Sequence, residues 1–573
     1  MTTAPAPAAD LLLPGSPGRR WRLRARGDIA AFEGAPWPTL VSTLLAHRGV
    51  RSVAEGEHYL GAPGELTAAT LMPNLDVAVD RLAQACRAGE RVAVFGDFDV
   101  DGITSTVVLT EGLAALGALP MPYIPDRFSE GYGPNAAAVR ELRARGATVF
   151  VTADCGTSAV AEIALANELA MDAIIIDHHT APDVLPDALA IVNPKLDGSQ
   201  YGSEPAAVGV AYKVVHDLYD RLGVPYDPDE HRALAALGCI CDLAPLLGET
   251  RDLVRIGLVA LARTRRPGLR ALAAVARVDL ADADVEMCGW ALGPRLNAAG
   301  RMEHARLALD LLLTDSPDTA AALAARLEVL NERRRADTTR ACELAASLLT
   351  EAERAGPLLV VASDELSAGI VGLVASRLVE QFHRPAIVME LRDGEGRASC
   401  RSLPVFDITA LLQRHAHLFA RFGGHRAAAG FSLDPARLPE VRATLIADAA
   451  RHLTAEQLIP ELAIDAELPL RAVNSDVLRW LQRVGPHGPG NVTPTFLARG
   501  VRILESKLLG ADQAHLQFKL KEGPATWRAI AFRSAERAVP DGQLADLAYT
   551  FRRDSLRGTL QLEVLDLRPS DPS

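Results

Sequence analysis

The stretch that decides the fold runs from Arg91 to His179 and contains RVAVFGDFDVDG (residues 91–102), TVFVTADCG (148–156) and AIIIDHH (173–179). In each segment a run of mostly β-branched or aromatic residues ends in acidic residues. Apolar runs without alternation are typical of strands buried on both faces of a parallel sheet. Helical patterns over 104–116, 135–145 and 158–169 separate these runs, so the stretch predicts a βαβαβα unit.

The acidic residues follow the carboxyl ends of the predicted strands, where open parallel sheets bind their ligands. Carboxylates crowded into one cleft repel one another, and a divalent cation among them removes that cost. Oxygen ligands with one or two imidazoles suit Mn²⁺ or Mg²⁺ better than the sulfur-rich sets of structural zinc sites. A single Asp is an ordinary helix cap. The whole set instead predicts a metal site of Asp97, Asp99, Asp101, Asp154, Asp177, His178 and His179.

The composition sets limits on domain number and on function. A chain of 573 residues predicts three or four domains. The net charge of −12 argues against a uniformly basic surface, so nucleic acid would have to be bound by local Arg clusters. Seven scattered cysteines without a C-x-x-C pair predict neither a disulfide framework nor a zinc knuckle and favour a cytoplasmic location. No apolar run reaches the roughly 18 residues that span a bilayer, so no membrane association is expected.

The first 72 residues carry little functional signal. Residues 1–20 begin with an Ala/Pro-rich stretch without a basic start, which predicts a disordered tail rather than a signal peptide. Residues 21–72 mix short helical patterns with Pro and Gly, and we expect an N-terminal extension packed on the first domain.

Three further motifs offer candidate ligands within residues 73–315. The loop YIPDRFSEGYGPN (123–135) carries Arg127, which can meet a phosphate, and Tyr132, which can stack on a base; a solvated Arg and a packed Tyr are the alternative. Asp242 stands in an apolar stretch, where an unpaired acid is costly and a metal ligand is favoured. The segment GPRLNAAGR (293–301) places two Arg residues on a predicted loop of small residues, a weak anion motif.

Residues 316–355 predict one long helix, because no Pro or Gly follows Pro317 and apolar residues recur every three or four positions. Its centre, ERRRAD (332–337), is polar on every face, which is typical of a strut between two domains. The Arg ridge could face substrate, but a solvated face is favoured.

A second α/β unit is predicted over 356–455, with RASCRS (397–402) and GGHRAAAG (423–430). Paired glycines allow backbone N–H groups to approach an anion, and Ser399, Arg401 and His425 add side-chain donors. Residues 456–573 are β-rich and predict a small barrel of five or six strands such as an OB-fold, which binds single strands through basic and aromatic side chains. An Ig-like or structural barrel would show a similar pattern.

The chain resembles the RecJ-type exonucleases of the DHH phosphoesterase superfamily. The resemblance rests on residues 96–102, 152–156, 177–179, 238–245, 297–301, 399–402, 423–430 and 485–491, in the same order as in the family. It implies an α/β fold with a DHH domain built on a parallel sheet and a smaller DHH-associated domain, joined by a long helix and followed by a C-terminal OB-fold barrel. Val100 and His487 depart from the family, which often has Ala and an aromatic residue there.

The resemblance also implies a function: 5′-to-3′ hydrolysis of single-stranded DNA to mononucleotides with two divalent ions, Mn²⁺ preferred and Mg²⁺ possible, in DNA repair and recombination. The implied catalytic residues are Asp99, Asp101, Asp154, His178, His179, Asp242 and His425. Asp99, Asp101, Asp154, His178 and Asp242 would hold the metals, with Asp97 and Asp177 as further ligands. The implied substrate-binding residues are Arg127, Tyr132, Asn297, Arg301, Ser399, Arg401, Ser402, Gly423, Gly424 and His425.

The expected partner is therefore single-stranded DNA with a 5′-phosphate, with a helicase and a single-strand-binding protein as further partners of a monomeric enzyme. A DHH-family phosphodiesterase for short oligonucleotides or small phosphate esters shares the metal motifs but lacks the barrel. A replication scaffold of the same fold should have lost metal acids, and here all are present.

Overall fold

The computed structural model describes residues 9–63, 66, 71–510, 513–537, 539–553 and 560–570. The architecture confirms the predicted fold class: two α/β units joined by a long helix and followed by a closed barrel. The N-terminal segment contributes β1 (Leu11–Pro14), β2 (Arg20–Leu23), α1 (Thr39–Ala46) and α2 (Val53–Leu60).

The first α/β unit is built on a five-stranded parallel sheet of order β4-β3-β5-β6-β7. Val92 and Val94 pack into the core on one face of the sheet, and Ala93 and Phe95 pack into the core on the other. Burial on both faces explains why these strands are apolar without alternation. The elements are α3 (Leu75–Ala88), β3 (Arg91–Gly96), α4 (Val100–Ala115), β4 (Leu119–Tyr123), α5 (Ala136–Ala144), β5 (Val149–Ala153), α6 (Val160–Glu168), β6 (Asp172–Ile176) and β7 (Ala190–Val192).

Six helices then cover one side of the unit: α7 (Ala207–Leu222), α8 (Asp229–Cys241), α9 (Gly248–Arg263), α10 (Pro267–Ala276), α11 (Gly293–Met302) and α12 (Arg306–Leu313). The expected small-residue loop over 293–301 is wrong, since these residues form α11. Pro294 lies in the first turn, where its missing N–H costs nothing, and Gly300 lies where a Cβ would be 2.7 Å from the Phe98 carbonyl oxygen.

The connecting segment is two helices rather than the single helix expected over 316–355. The long helix α13 (Pro317–Ser347) begins at a Ser316 cap, and α14 (Glu351–Ala355) begins at Thr350. Thr350 and Glu353 form a reciprocal capping box that starts a new helix and so ends the strut early. The T-x-x-E pattern was the available sequence signal.

The second α/β unit has a mixed sheet of order β11-β12-β10-β9-β8, in which only β8 and β9 pair in parallel. Its elements are β8 (Leu359–Ser363), α15 (Val371–Phe382), β9 (Ala386–Arg392), β10 (Glu395–Arg401), α16 (Ile408–Arg414), β11 (Arg421–His425), β12 (Ala428–Leu433) and α17 (Leu438–His452). The central strand β10 brings Ser399 and Arg401 beside the N-terminus of α15.

The C-terminal elements are β13 (Glu461–Ile464), β14 (Ala466–Glu467), α18 (Ser475–Val484), β15 (Phe496–Leu509), β16 (His515–Glu522), β17 (Ala525–Ala531), β18 (Leu544–Arg553) and β19 (Leu560–Pro569). Pairing of β15 with β18 closes the five long strands into a barrel. Two short strands precede the barrel: β13 pairs with β2 of the N-terminal hairpin, and β14 pairs with β15.

The expectation of a disordered tail over 1–20 is wrong for the residues that the structure describes, and residues 1–8 lie outside them. β1 and β2 form a hairpin that β13 extends to a three-stranded sheet. Trp21 is fully buried against Ile464, Leu497 and Ala548, and its indole N–H donates to Asp566 at 2.7 Å. The N-terminal strands therefore belong to the C-terminal domain, a long-range pairing that local composition does not reveal.

We expect Trp21→Ala to lower the free energy of unfolding of the barrel by about 3–5 kcal/mol, since a large buried side chain is lost. The measurement is thermal unfolding together with hydrogen exchange of β18 and β19. Leu12→Ala is the matched control on the same hairpin; Leu12 is 57% exposed, so its loss should stay within about 0.5 kcal/mol. Equal exchange in both variants would contradict the role given to Trp21.

The extension over 21–72 was expected to pack on the first domain, but its core is shared mainly with the C-terminal region. Phe32, Trp37 and Leu45 pack with Val484 of α18. The end of the extension does pack on the first unit, since Met72 lies in that unit's core and Leu66 and Leu71 pack against it. Arg251 of α9 adds a further contact: its guanidinium stacks on the Tyr59 ring at 3.9 Å and donates to the Gly485 carbonyl at 2.6 Å. The extension thus packs between the first α/β unit and the C-terminal region. Within the part of the chain described, no helix is both long and apolar enough to cross a membrane.

Candidate metal centre and substrate cleft

The loop after β3 turns two carboxylates toward the sheet edge. Asp99 caps α4, its Oδ1 accepting from the backbone N–H groups of Asp101 at 2.9 Å and Gly102 at 3.1 Å. Asn297 of α11 accepts from Val100 N at 3.2 Å and so fixes the start of the same helix. Asp97 is buried, and its Oδ1 has no hydrogen-bond partner among the described residues.

Asp154 lies directly after β5 with a φ of +63°. Aspartate is one of the few residues that tolerate this left-handed conformation. One ligand atom from each of Asp97, Asp99 and Asp154 falls within 4.8 Å of the others. The structure therefore brings together, at the ends of two neighbouring strands, three acids that the sequence placed there.

The three residues of the segment 177–179 make different contacts. Asp177 accepts from the backbone N–H groups of His178 and His179, from the His179 ring at 2.7 Å, and from the Thr157 hydroxyl at 2.7 Å. Burial would raise its pKa, but the hydrogen bond and charge of His179 hold that pKa below its usual value. Both carboxylate oxygens of Asp177 accept hydrogen bonds, so Asp177 orients His179 and the loop. The same interaction raises the pKa of His179 against the opposing effect of burial.

His178 forms a second group with Asp101 and Asp242. Its Nε2 lies 3.7 Å from Asp101 Oδ2, 3.5 Å from Asp242 Oδ2 and 3.2 Å from Asp154 Oδ1. Asp101 also caps α7, because its two oxygens accept from the N–H groups of Ala207 and Val208 at 2.7 and 2.8 Å. Asp242 follows the last turn of α8. His178 thus links the two groups of acids.

The chemistry of this donor set fits divalent cations. Asp97 Oδ1, Asp154 Oδ1 and His178 Nε2 are buried without a hydrogen-bond partner in the described chain, which is costly unless a ligand satisfies them. Burial and the charge of Asp99 raise the pKa of Asp101 to about 7, and burial and the charge of Asp101 raise that of Asp242 to about 8. Burial and the charge of His179 lower the pKa of His178 to about 3, so its ring is neutral, as a metal ligand must be.

Aromatic rings join the two α/β units at this edge. The Tyr132 hydroxyl donates to the Asp154 carbonyl at 3.2 Å, and its ring meets His179 edge-on at 5.9 Å. On the other side His425 of β11 stacks on His179 at 5.4 Å and 17°. His425 is exposed on the second unit, so this stack places a free imidazole above the acids.

A cluster of four guanidinium groups lies next to the acids. Arg127 stands over the Phe98 ring at 4.6 Å. Burial lowers the pKa of Arg301 to about 9, and the positive charges of Arg127, Arg334 and Arg401 add to that effect. No ion pair neutralises any of the four within the described part of the chain. Like charges held together without a counter-ion are suited to binding an anion.

Glycines make room for this Arg cluster. A Cβ on Gly369 would lie 2.3 Å from the Arg301 carbonyl oxygen, and one on Gly372 would lie 3.0 Å from the Arg401 guanidinium and 3.5 Å from Ser399 Oγ. Gly372 lies in the first turn of α15, whose N–H groups add positive potential. Sequence reasoning saw only the start of a helix here; the small-residue run SAGIVG (367–372) was the available signal.

Arg334 was expected to be solvated with the rest of the polar ridge, and this expectation is wrong. It is half-buried, its Nε has no hydrogen-bond partner among the described residues, and it donates to Asn331 at 2.8 Å. Its neighbours Arg333 and Arg335 are exposed as predicted. Sequence could not separate the three because the helix is polar on every face at this point.

Other predicted substrate residues lie beside the cleft with structural contacts. Ser402 donates to the Phe406 carbonyl at 2.7 Å and holds its own loop. Gly423 and Gly424 lie in the exposed edge strand β11, opposite Gly430 and Ala429 of β12, and their binding of an anion stays a prediction. Gly424 also allows the two strands to approach closely, since a Cβ there would meet Ala429 Cα at 2.4 Å.

A cavity of about 1390 Å³ runs from the Arg cluster to the barrel. Every unit of the chain contributes to its wall, and most of its charged residues are basic: Arg19, Arg295, Arg301, Arg334, Arg335, Arg377, Arg533 and Arg537, with Glu343, Glu380 and Glu536. A basic channel of this extent suits a polyanionic chain rather than a small ester.

Comparison with known proteins identifies the family. The description "DHH family, N-terminal domain" matches residues 91–239, "DHHA1 domain" matches 355–450 and "RecJ OB domain" matches 464–566. The single-stranded-DNA-specific exonuclease RecJ of Salmonella typhimurium is 34% identical over 95% of this chain and 97% of that protein. The chain belongs to the RecJ family.

A second RecJ, from Bacillus subtilis, is 35% identical over 87% of this chain, which spans only 63% of that longer protein. The crystal structure of RecJ from Thermus thermophilus in complex with Mn²⁺ superposes with a TM-score of 0.83 at 32% identity, over 97% of this chain and 80% of that chain. The Mg²⁺ complex of that RecJ gives a TM-score of 0.76 at 31% identity over 97% and 79%. Both solved RecJ structures hold the kind of cation that the acid cluster fits.

Proposed function

We propose that this chain is a single-stranded-DNA-specific exonuclease that hydrolyses the strand from its 5′ end and releases mononucleotides. The observation that carries the proposal is one cleft that combines two sets of groups. Buried ligand atoms of Asp97, Asp154 and His178 have no hydrogen-bond partner among the described residues, and they lie next to guanidinium groups that form no ion pair there. The first set suits metal cations, and the second suits a phosphate. The RecJ relatives, named as single-stranded-DNA-specific exonucleases, support the substrate class.

The metal ligands in this proposal are Asp97, Asp99, Asp154, His178 and Asp242, with Asp101 contributing any lone pair that its helix cap leaves free. They would hold two divalent ions, Mn²⁺ preferred and Mg²⁺ possible; the Thermus RecJ was solved in complex with each of these metals. Two such ions supply Lewis acidity at the attacking and leaving oxygens of a phosphoryl displacement. Asp177 acts by holding the His179 ring at 2.7 Å and by fixing the loop that carries His178.

Polarity follows from the Arg cluster. Arg127, Arg301 and Arg401, with Ser399 Oγ and the N-terminus of α15, form a cationic cluster that would receive a terminal 5′-phosphate. His425, stacked on His179, would then meet the next, scissile phosphate. A terminal phosphate carries more negative charge than an internal phosphodiester, so this cluster would favour a 5′ end over an internal position. The strand would continue toward its 3′ end through the basic cavity to the barrel.

The setting proposed for this reaction is DNA repair and recombination in the cytoplasm, by a monomer that works with a helicase and a single-strand-binding protein. All seven cysteines are free thiols in the described chain, in keeping with a reducing compartment. A strand-separating partner would supply the unpaired 5′ ends that the cleft requires.

The decisive assay uses oligonucleotides with 5′-phosphate or 5′-hydroxyl ends, single- or double-stranded, labelled at either end and incubated with Mn²⁺, Mg²⁺ or EDTA. We expect a 5′ label to leave as a mononucleotide at once, and a 3′ label to remain on a shortening strand. Duplex and EDTA reactions should be inactive. Release of the 3′ label first, or cleavage of small phosphate esters alone, would overturn the proposal.

The pKa values predict how metal binding changes stability with pH. The folded pKa values of Asp101 and Asp242, about 7 and 8, lie above the ordinary value of 3.8. In metal-free protein the associated stability is therefore fully present below about pH 4 and is lost as the pH rises through 7 and 8. Metal ligands must be deprotonated, so the gain from Mn²⁺ should increase over the same range.

We accordingly expect the Tm measured in EDTA to fall between pH 5.5 and 8.5, and the rise in Tm on adding Mn²⁺ to be larger at pH 8.5 than at pH 5.5. Differential scanning fluorimetry checks both. Asp242→Asn should reduce the pH dependence. A Mn²⁺ effect that is the same at both pH values would contradict the assignment of these carboxylates as ligands.

A further inference from the structure

An exposed tryptophan lies at the rim of the metal centre with no function so far. Trp290 is 76% exposed, the largest exposed fraction of any large apolar residue in the described chain. It belongs to a π-helical segment, Met287–Leu292, directly before α11. Such segments are rare and frequently occur at functional sites. An indole exposed to solvent in such a segment is a candidate ligand-binding group.

Trp290 and Leu243 form the mouth of a second cavity of about 330 Å³, a size within the range of small-ligand sites. Leu243 follows the proposed metal ligand Asp242 and is 68% exposed with a φ of +61°. His487, Gly488 and Pro489 also line this cavity, which we call the slot. Most of its lining residues are apolar, and Leu243 is the residue after Asp242.

His487 contributes an uncharged ring to the slot. Burial and the positive charge of Arg48 lower the pKa of His487 to about 4, so the ring is neutral near pH 7. An exposed indole and a neutral imidazole among mostly apolar lining residues match the face of a nucleobase, which binds by stacking.

The slot is also continuous with the path proposed for the strand. Trp290 and Leu243 line the large basic cavity as well, together with Asn297 and Arg301. Arg552 of the barrel pairs with Glu286, which lines the slot and precedes the π-helical segment, so the barrel is anchored beside it. The slot therefore adjoins the cavity that extends from the Arg cluster to the barrel.

We propose that the slot between Trp290 and His487 binds the base of the second nucleotide, the one on the 3′ side of the scissile bond. Stacking of this base on the indole fixes the position of the scissile bond relative to the metal ligands. A base can enter the slot only when it is unpaired, so the slot contributes to single-strand specificity. This assignment rests on the proposed function, because the second nucleotide is counted from a 5′-phosphate bound in the Arg cluster.

The test pairs protein variants with abasic substrates. With 5′-phosphorylated single strands, wild-type protein should release the first nucleotide about 10-fold less efficiently when the second nucleotide is abasic, and nearly normally when the sixth is abasic. Trp290→Ala should lower kcat/KM on the intact strand by about 5- to 150-fold, mainly through KM, with no further loss on the strand that is abasic at the second position. Trp290→Phe should retain most activity.

A binding measurement separates this subsite from catalysis. In an Asp154→Asn background with Mg²⁺, oligo-dT should quench tryptophan fluorescence, and Trp290→Phe should remove most of the quenching. Trp480→Phe is the matched control, since Trp480 is packed against the N-terminal extension. Wild-type protein without activity on any single strand would refute the proposed function. Activity with equal losses for Trp290→Ala on intact and abasic strands, or quenching unchanged in Trp290→Phe, would refute the slot alone.

Discussion

Replacing Asp154 with asparagine is expected to lower kcat/KM on single-stranded DNA by about three orders of magnitude or more, which corresponds to about 4 kcal/mol of transition-state stabilisation. Asp154 links the two groups of candidate ligands, because its Oδ1 lies 3.2 Å from His178 Nε2 and one of its ligand atoms is within 4.8 Å of ligand atoms of Asp97 and Asp99. Loss of its charge therefore disturbs both metal positions at once. The measurement is release of a 5′ label under single-turnover conditions.

Asparagine is a better replacement than alanine because it also tolerates the φ of +63° that the position requires. Burial and the charges of Asp101 and Asp99 raise the pKa of Asp154, so a neutral amide should leave the Tm in EDTA unchanged or higher. Asp172→Asn is the matched control; Asp172 begins β6 at the opposite edge of the sheet, where it pairs with Arg81. Full activity of purified Asp154→Asn would refute the metal assignment.

Replacing Arg401 with alanine should remove most of the preference for a 5′-phosphate. Arg401 lies beside Ser399 and the first turn of α15 and is one of four guanidinium groups without a counter-ion. A charge-assisted hydrogen bond contributes about 1.5–3 kcal/mol, so kcat/KM on 5′-phosphorylated strands should fall by about 10- to 150-fold. Strands with a 5′-hydroxyl should change by only a few-fold, and the ratio of the two substrates is the measurement.

Arg397→Ala is the control for Arg401 on the same strand, since Arg397 is exposed and pairs with Glu395 at 2.9 Å. The Arg401 variant should not lose thermal stability, because removal of one like charge relieves repulsion on Arg301. This combination of lost function without lost stability is typical of a binding site. An equal fall on both 5′ ends would place Arg401 elsewhere in the reaction.

The acid cluster could be predicted from sequence because a parallel sheet brings all its strand ends to one edge. Asp97, Asp154 and Asp177 each follow a strand directly and His178 comes one residue later, so their meeting depended only on the order of the strands. The sequence could not show which of these residues bind a metal and which position a neighbouring residue. That Asp177 supports His179, and that Asp101 caps α7, depends on contacts with Thr157, Ala207 and Val208.

The anion pocket was only partly predictable. Arg127 and Arg401 were proposed from the motifs that contain them. Arg334 was not singled out, because its helix is polar on every face at that point, and Gly372 carried no signal of its own. Each enters the pocket through tertiary packing of α13 and α15 against α11, which no local pattern encodes. Trp290 escaped notice for the same reason, since an isolated aromatic residue in an apolar run is usually buried.

The hairpin of β1 and β2 has a consequence for biosynthesis. Trp21 and the Asp566 that its indole contacts are 545 positions apart. At about 5–20 residues per second, a ribosome needs roughly half a minute to two minutes to make the intervening chain. Throughout that time the emerging N-terminus carries an unpaired strand edge and a bare indole. The nascent polypeptide must therefore keep β1 and β2 from pairing wrongly until β19, which carries Asp566, has been synthesised.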